Sequence, residues 1–154
     1  MLKDLFGKLR GDRPVEIPGL EIVGLMREGS MSRIFRGREL ETGRAVAVKV
    51  QKTESRKTIE KIEGRYRDFT EGQITASFDH ANIVKCFAHG EIDSNAYLVL
   101  EYLDGMTLTT LMQTGSQFLI GRRVALMQLS AAGLAHVHAP MCTSTDTRIA
   151  TSIQ

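Results

Sequence analysis

The 154-residue sequence has little of several features that would each indicate a particular class of protein. Its two cysteines, Cys86 and Cys142, stand far apart without metal-ligand spacing, which disfavours a disulfide-stapled scaffold and a cysteine-rich zinc site. The formal net charge is only +2, so the composition gives no reason to expect nucleic-acid binding. No apolar run reaches transmembrane length, so no membrane span is expected. A cytoplasmic globular protein is the expected class.

Hydrophobic residues make up 42% of the sequence and charged residues 25%, values typical of one globular domain with a core. Residues 1–19 read as an N-terminal tail and linker. The apolar residues of its first turns fall on one helical face, which suits docking on the same domain or, alternatively, a membrane surface. Residues 140–154 are rich in Ser and Thr and lack an apolar period, which predicts a disordered tail.

The apolar pattern between these ends changes period along the chain. Five runs rich in β-branched or aromatic residues predict strands: 20–26, 33–38, 44–51, 83–89 and 96–102. Spacing by threes and fours predicts one amphipathic helix over 57–78, a short helix near 107–113 and a longer one near 118–138. This order favours an α+β fold with a mostly antiparallel five-stranded sheet, one long helix and two helices after it.

The third predicted strand, AVAVKV, carries a lysine near its end. Burying an ammonium group is costly unless the group is paired, so Lys49 either reaches solvent or meets a carboxylate. The helix predicted next in the chain offers several acidic residues.

Three segments in a fixed order resemble the small lobe of a protein kinase, over roughly residues 20–139. These are the VAVK strand, the segment HANIV at 80–84 and the segment VLEYLDG at 99–105. The resemblance implies a kinase-like small lobe and hinge over 20–105 and the first helices of the large lobe over 106–139. The implied relatives are Ser/Thr protein kinases.

The resemblance implies a role for the strand lysine. Lys49 matches the family lysine that contacts the α- and β-phosphates of ATP. Glu71 stands nine residues before His80, a common family spacing for the helix glutamate that pairs with this lysine. Asp68, one turn earlier, is the alternative partner.

Further nucleotide contacts follow from the same resemblance. The glycine-rich loop of the family is matched by its middle glycine alone, with Arg27 and Ser32 at the other two glycine positions. Leu100 would stand at the back of the adenine pocket. The remaining residues implied to contact ATP are Gly29, Ser30, Ser32, Ile34, Ala47, Glu101 and Leu103, of which the last two would act through their backbone groups.

The sequence contains neither the H-R-D catalytic-loop motif nor the D-F-G motif of the family. It therefore offers no catalytic base and no Mg²⁺ ligand, and we expect no phosphoryl transfer by this chain alone. No metal site is expected, since His136 and His138 point to different sides of a helix. Mg²⁺ would be needed only in full-length relatives.

The unusual tail suggests a frameshift. A reading two bases out of frame from Ala139 onward permits a repeat of AHVH followed by an H-R-D segment. We therefore expect a short tandem duplication in the coding DNA, and a natural divergent C-terminus is the alternative.

Three functions remain open on the sequence: a truncated ATP-binding kinase lobe, a non-catalytic interaction module, and an inert gene remnant. An interaction module would offer partner proteins the exposed apolar face expected over 118–138.

Overall fold

The computed structural model describes residues 15–52 and 70–151, with side chains up to residue 139. Its elements are strands β1 (Leu20–Glu28), β2 (Ser32–Glu39), β3 (Ala45–Gln51), β4 (Cys86–Ile92) and β5 (Asn95–Glu101), and helices α1 (Glu71–Ala76), α2 (Leu108–Gln113) and α3 (Arg123–Thr151). A 3₁₀ turn, Gln117–Leu119, lies between α2 and α3.

The five strands form one sheet in the order β1-β2-β3-β5-β4, and every neighbouring pair is antiparallel. This confirms the predicted α+β class and five-stranded antiparallel sheet. The β4–β5 hairpin closes through Asp93 and Ser94, which both have positive φ, at 47° and 61°. Such a two-residue turn matches the right-handed twist of the flanking strands, which explains the polar turn residues at this point.

The core lies on one face of the sheet and follows the alternation of β3. Val46, Val48 and Val50 are 0%, 0% and 1% exposed. Val99 of β5 and Ile17, which precedes β1, complete the buried cluster. Ile17 falls within the predicted linker, so the end of that segment contributes to the core. Because side chains alternate along a strand, the residues between these valines face the other side of the sheet.

Helix α1 begins at Glu71, so the prediction of one uninterrupted helix over 57–78 is wrong at Thr70. Thr70 is extended, with φ −80° and ψ 160°, and its side chain accepts a hydrogen bond from the amide of Gln73. The Gln73 side chain in turn accepts from the Thr70 amide, at 2.9 Å. This reciprocal capping box fixes the N-terminus of the helix, so the helix begins after Thr70. Residues 57–69 of the prediction lie outside the described residues.

The helix predicted over 118–138 begins only at Arg123. Gly121 has a φ of 73°, a left-handed conformation that interrupts helical hydrogen bonding. At its other end α3 continues to Thr151, through residues that we expected to be disordered. After Pro140 this stretch contains neither glycine nor proline, the two strongest helix breakers, so the backbone can remain helical.

Helix α3 attaches to the sheet through the loop before β4. The Asn82 side-chain amide donates to the Leu129 carbonyl oxygen at 2.9 Å. A Cβ at Gly133 would lie 3.2 Å from the Asn82 carbonyl oxygen, so glycine permits this close approach. The His136 ring lies 5.0 Å from the ring of His80. Within the described part of the chain, no helix combines the length and apolarity needed to cross a membrane.

Candidate functional site

The face of the sheet opposite the core carries four of the residues singled out from the sequence. Lys49 is the cross-strand partner of Ile34 on β2. Two residues back along β3, Ala47 lies opposite Leu100 on β5. Directly paired residues in antiparallel strands project from the same face, so these four side chains share one surface.

Lys49 and Glu71 form an ion pair between Nζ and Oε1. The side chains are 27% and 42% exposed, so the pair is partly shielded and still reachable from solvent. The strand lysine therefore meets a carboxylate, as its position in an apolar strand required. The alternative partner, Asp68, lies outside the described residues.

The position of Glu71 depends on how α1 packs. Glu71 is the first residue of the helix, where a negative side chain interacts favourably with the helix dipole. Gly72 follows it and is buried, and a Cβ at this position would lie 2.7 Å from Cγ of His89 on β4. The missing side chain lets α1 approach the sheet closely, which brings the carboxylate of Glu71 within reach of β3.

The β1–β2 hairpin contains the remnant of the glycine-rich loop. The Gly29 amide donates to the Ser32 carbonyl oxygen at 2.8 Å, so this amide is used within the hairpin. Ser30 lies at the tip of the hairpin and Ser32 is the first residue of β2. Next to the tip of the hairpin, Lys52 forms an ion pair with Glu28 at 2.7 Å.

The predicted hinge begins where β5 ends, at Glu101. The Glu101 amide donates to the Lys85 carbonyl oxygen at 2.9 Å and is therefore not available to a ligand. Leu103 follows the strand and is 59% exposed. Of the two hinge residues predicted to contact adenine, only Leu103 lies beyond the sheet.

Sequence reasoning missed two residues of this surface. Leu98 is the partner of Lys49 on β5 and is 2% exposed, so it forms the apolar floor beneath the lysine. Arg36 pairs with Ala47 on β2, and its guanidinium lies 4.9 Å from the centre of the Tyr102 ring, which fixes the start of the hinge to β2. The period-two pattern places each residue on one face of its own strand. The strand register is also needed to show that both lie on the face of Lys49.

The surface combines a paired cation with small and medium apolar side chains. Ala47, with its small side chain, lies beside Leu100, and the neighbouring row of the same face holds Ile34 and the cation of Lys49. These residues fit a ligand with a planar apolar part and an anionic part, such as ATP. Among residues 15–52 and 70–139, no three His, Cys, Asp or Glu side chains cluster as metal ligands would.

Comparison with known proteins identifies the family. The sequence matches the family model for the protein kinase domain over residues 20–147. It is 29% identical over 118 residues to the serine/threonine-protein kinase PrkC of Bacillus subtilis, an alignment covering 77% of this chain and 18% of that protein. It is 32% identical over 128 residues to a probable serine/threonine-protein kinase of Streptomyces coelicolor, covering 75% and 19%. The chain thus spans about a fifth of the length of these relatives.

The fold has solved counterparts. The kinase domain of PknI from Mycobacterium tuberculosis superposes with a TM-score of 0.66 at 20% identity, covering 82% of this chain and 51% of that domain. This likeness confirms the kinase small-lobe fold and the start of the large lobe. Together with the family match over most of the sequence, it confirms the resemblance seen in the sequence motifs: this chain belongs to the protein kinase domain family.

Proposed function

We propose that the lobe formed by residues 20–105 binds ATP on the face of the sheet opposite the core. The observation that carries this proposal is the ion pair between Lys49 and Glu71, reaching from β3 to α1 on that face. A lysine held by a carboxylate presents its remaining N–H groups in a fixed direction, which suits a phosphate oxygen. The apolar strip of Ile34, Ala47 and Leu100 supports stacking of the adenine ring.

The proposal is limited to nucleotide binding and does not include catalysis, because these 154 residues contain neither H-R-D nor D-F-G. When bound, ATP supplies a transferable phosphoryl group, and this chain's own residues would hold and orient it. The names of the relatives support serine/threonine kinase activity for full-length members of the family, whereas this chain alone is proposed to bind ATP without transferring its phosphoryl group. The free thiol of Cys86, whose pKa is raised by partial burial, is compatible with the proposed cytoplasmic location.

The test is thermal unfolding of the 154-residue chain with and without excess ATP. Ligand at about 100 times its Kd stabilises a folded protein by about 2.7 kcal/mol, so Tm should rise by several degrees. Lys49→Ala should abolish the rise. The matched control is Arg44→Ala, which removes another ion-paired cation between β2 and β3 and should preserve the rise. An unchanged Tm of the unsubstituted chain at saturating ATP would contradict the proposal.

A second candidate is a non-catalytic protein-interaction module. The observation that favours it is the exposure of apolar residues just before and at the start of α3, with Ile120 and Val124 each 71% exposed. A module of this kind would form a stable complex whose affinity does not change in Lys49→Ala.

A further inference from the structure

Strand β1 contains a bulge beside the proposed nucleotide site. Leu25 is paired with Phe35, but the next pair joins Arg27 to Ile34, so Met26 is the extra residue. Without this shift Arg27 would lie opposite Arg33, whose partner on β3 is the buried Val50. The bulge therefore moves Arg27 from the core face to the opposite face of the sheet.

Arg27 thereby joins a ladder of side chains that crosses the sheet. The pairs run from Arg27 to Ile34, from Ile34 to Lys49, and from Lys49 to Leu98. Paired Cα atoms in antiparallel strands are about 5 Å apart, which places the Cα atoms of Arg27 and Lys49 roughly 10 Å apart. Two long cationic side chains thus rise from one face with a single apolar residue between them. The space over Ile34 suits an oxyanion that both cations contact.

Two other cationic side chains on this face have partners, whereas the Arg27 side chain has none among the described residues. The charge of Lys49 is balanced by Glu71, and Arg36 lies over the ring of Tyr102. The Arg27 side chain is exposed and, within the described residues, has no hydrogen-bond or ion-pair partner. Since the Lys49–Glu71 pair is neutral as a whole, Arg27 adds a positive charge beside it that no described acidic side chain pairs with.

We propose that Arg27 is a polyphosphate-binding residue, which together with Lys49 holds the phosphates of a nucleoside di- or triphosphate above Ile34. This inference rests on the proposed nucleotide binding and adds the source of its affinity for phosphate. The Gly29 amide is used within the hairpin. A guanidinium, with its fork of N–H donors, replaces backbone amides as the anion ligand at this edge of the sheet.

The test is calorimetric titration of the 154-residue chain with ATP, ADP and adenosine. Arg27→Ala should weaken ATP and ADP binding about tenfold, because it removes charge-assisted hydrogen bonds, and should leave adenosine binding unchanged. Arg27→Lys should retain most of the affinity. Arg27→Gly, which installs the residue of the family loop, should weaken binding as Arg27→Ala does. The charge-matched control is Arg123→Ala on α3, which should bind all three ligands like the unsubstituted chain.

The outcomes separate this inference from the function on which it rests. If the unsubstituted chain binds neither ATP nor adenosine, both proposals are wrong. If it binds ATP and Arg27→Gly binds equally or more tightly, only the role of Arg27 is wrong, and the arginine merely obstructs the loop. Thermal unfolding without ligand should give nearly the same Tm for Arg27→Ala and Arg27→Lys because Arg27 is exposed, and a slightly lower Tm for Arg27→Gly because glycine weakens a strand. Arg27→Gln serves as the substitute if Arg27→Ala alone is destabilised.

Discussion

The sheet and the segment after it use apolar residues in opposite ways. Val46 and Val48 of β3 are fully buried, whereas Val124 and Met127 of α3 are 71% and 67% exposed. The sequence is similarly apolar in both regions, but only the sheet has its apolar face covered by other described residues. Stability should therefore reside in the sheet together with α1, while α3 contributes little to it.

The strongest test of this difference in stability places the same negative charge in both regions. Val48→Asp would bury an unpaired carboxylate, which costs several kcal/mol, a large part of the total stability of a small domain. We expect this variant to be unfolded. Val124→Asp, at an exposed position of α3, should change the free energy of unfolding by less than about 0.5 kcal/mol.

Urea denaturation followed by circular dichroism measures both effects. A folded Val48→Asp chain, or a Val124→Asp chain destabilised as strongly as Val48→Asp, would show that the sheet does not dominate the stability.

A smaller effect should distinguish the close packing of α1 from an open loop. Gly72→Ala would bring a Cβ within 2.7 Å of the His89 ring, whereas at Gly105 no atom lies within 4 Å of a new Cβ. We expect Gly72→Ala to cost about 1–2 kcal/mol despite the better helix propensity of alanine. Gly105→Ala should be within about 0.5 kcal/mol of the unsubstituted chain.

A double variant tests the cause of that loss. If the contact with His89 is responsible, adding His89→Ala to Gly72→Ala should recover much of the stability, and a double-mutant cycle measures this coupling. Additive losses would mean that the close approach of α1 to β4 does not depend on this contact.

The smallest expected effect is a difference in pH dependence. Hydrogen bonds from Thr42 and Arg44 lower the pKa of Glu39 from its ordinary value of 4.5. The folded state therefore favours the charged carboxylate, and this contribution is present above pH 4.5 and lost as the pH falls through the lowered pKa. Residues 106–139 contain no Asp or Glu, so that segment has no comparable acid dependence.

Urea denaturation between about pH 3 and 6 checks this. Glu39→Gln should flatten the loss of stability at low pH, and Glu41→Gln, in the same hairpin, serves as the control. An unchanged pH profile in Glu39→Gln would contradict the prediction.

The sequence predicted the sheet well because its signals are local. Alternating valines in β3 and polar residues at Asp93 and Ser94 determine a strand and a hairpin turn from a few neighbouring residues. The break in the helix before Glu71 was missed, although Thr70 and Gln73 match a capping box, because the apolar period continued through it. The late start of α3 was missed because the left-handed φ of Gly121 has no reliable signal in sequence alone.

The candidate site also contains features that one segment of the sequence predicts and features that depend on a neighbouring strand. Lys49 was identified from its own strand, since a lone ammonium in an apolar run needs a partner. The bulge at Met26 was not predictable, because an extra residue in one strand is defined only by its hydrogen-bonded neighbour.

The sequence by itself determined which residues of the strands are apolar and which charges need partners, because alternation and desolvation act on each segment independently. Only the tertiary structure decided that Glu71 reaches Lys49 from 22 residues away, and that Arg27 shares their face of the sheet. Both outcomes depend on strand register and on the approach of α1 over Gly72. These are set by contacts between segments that are distant in the chain.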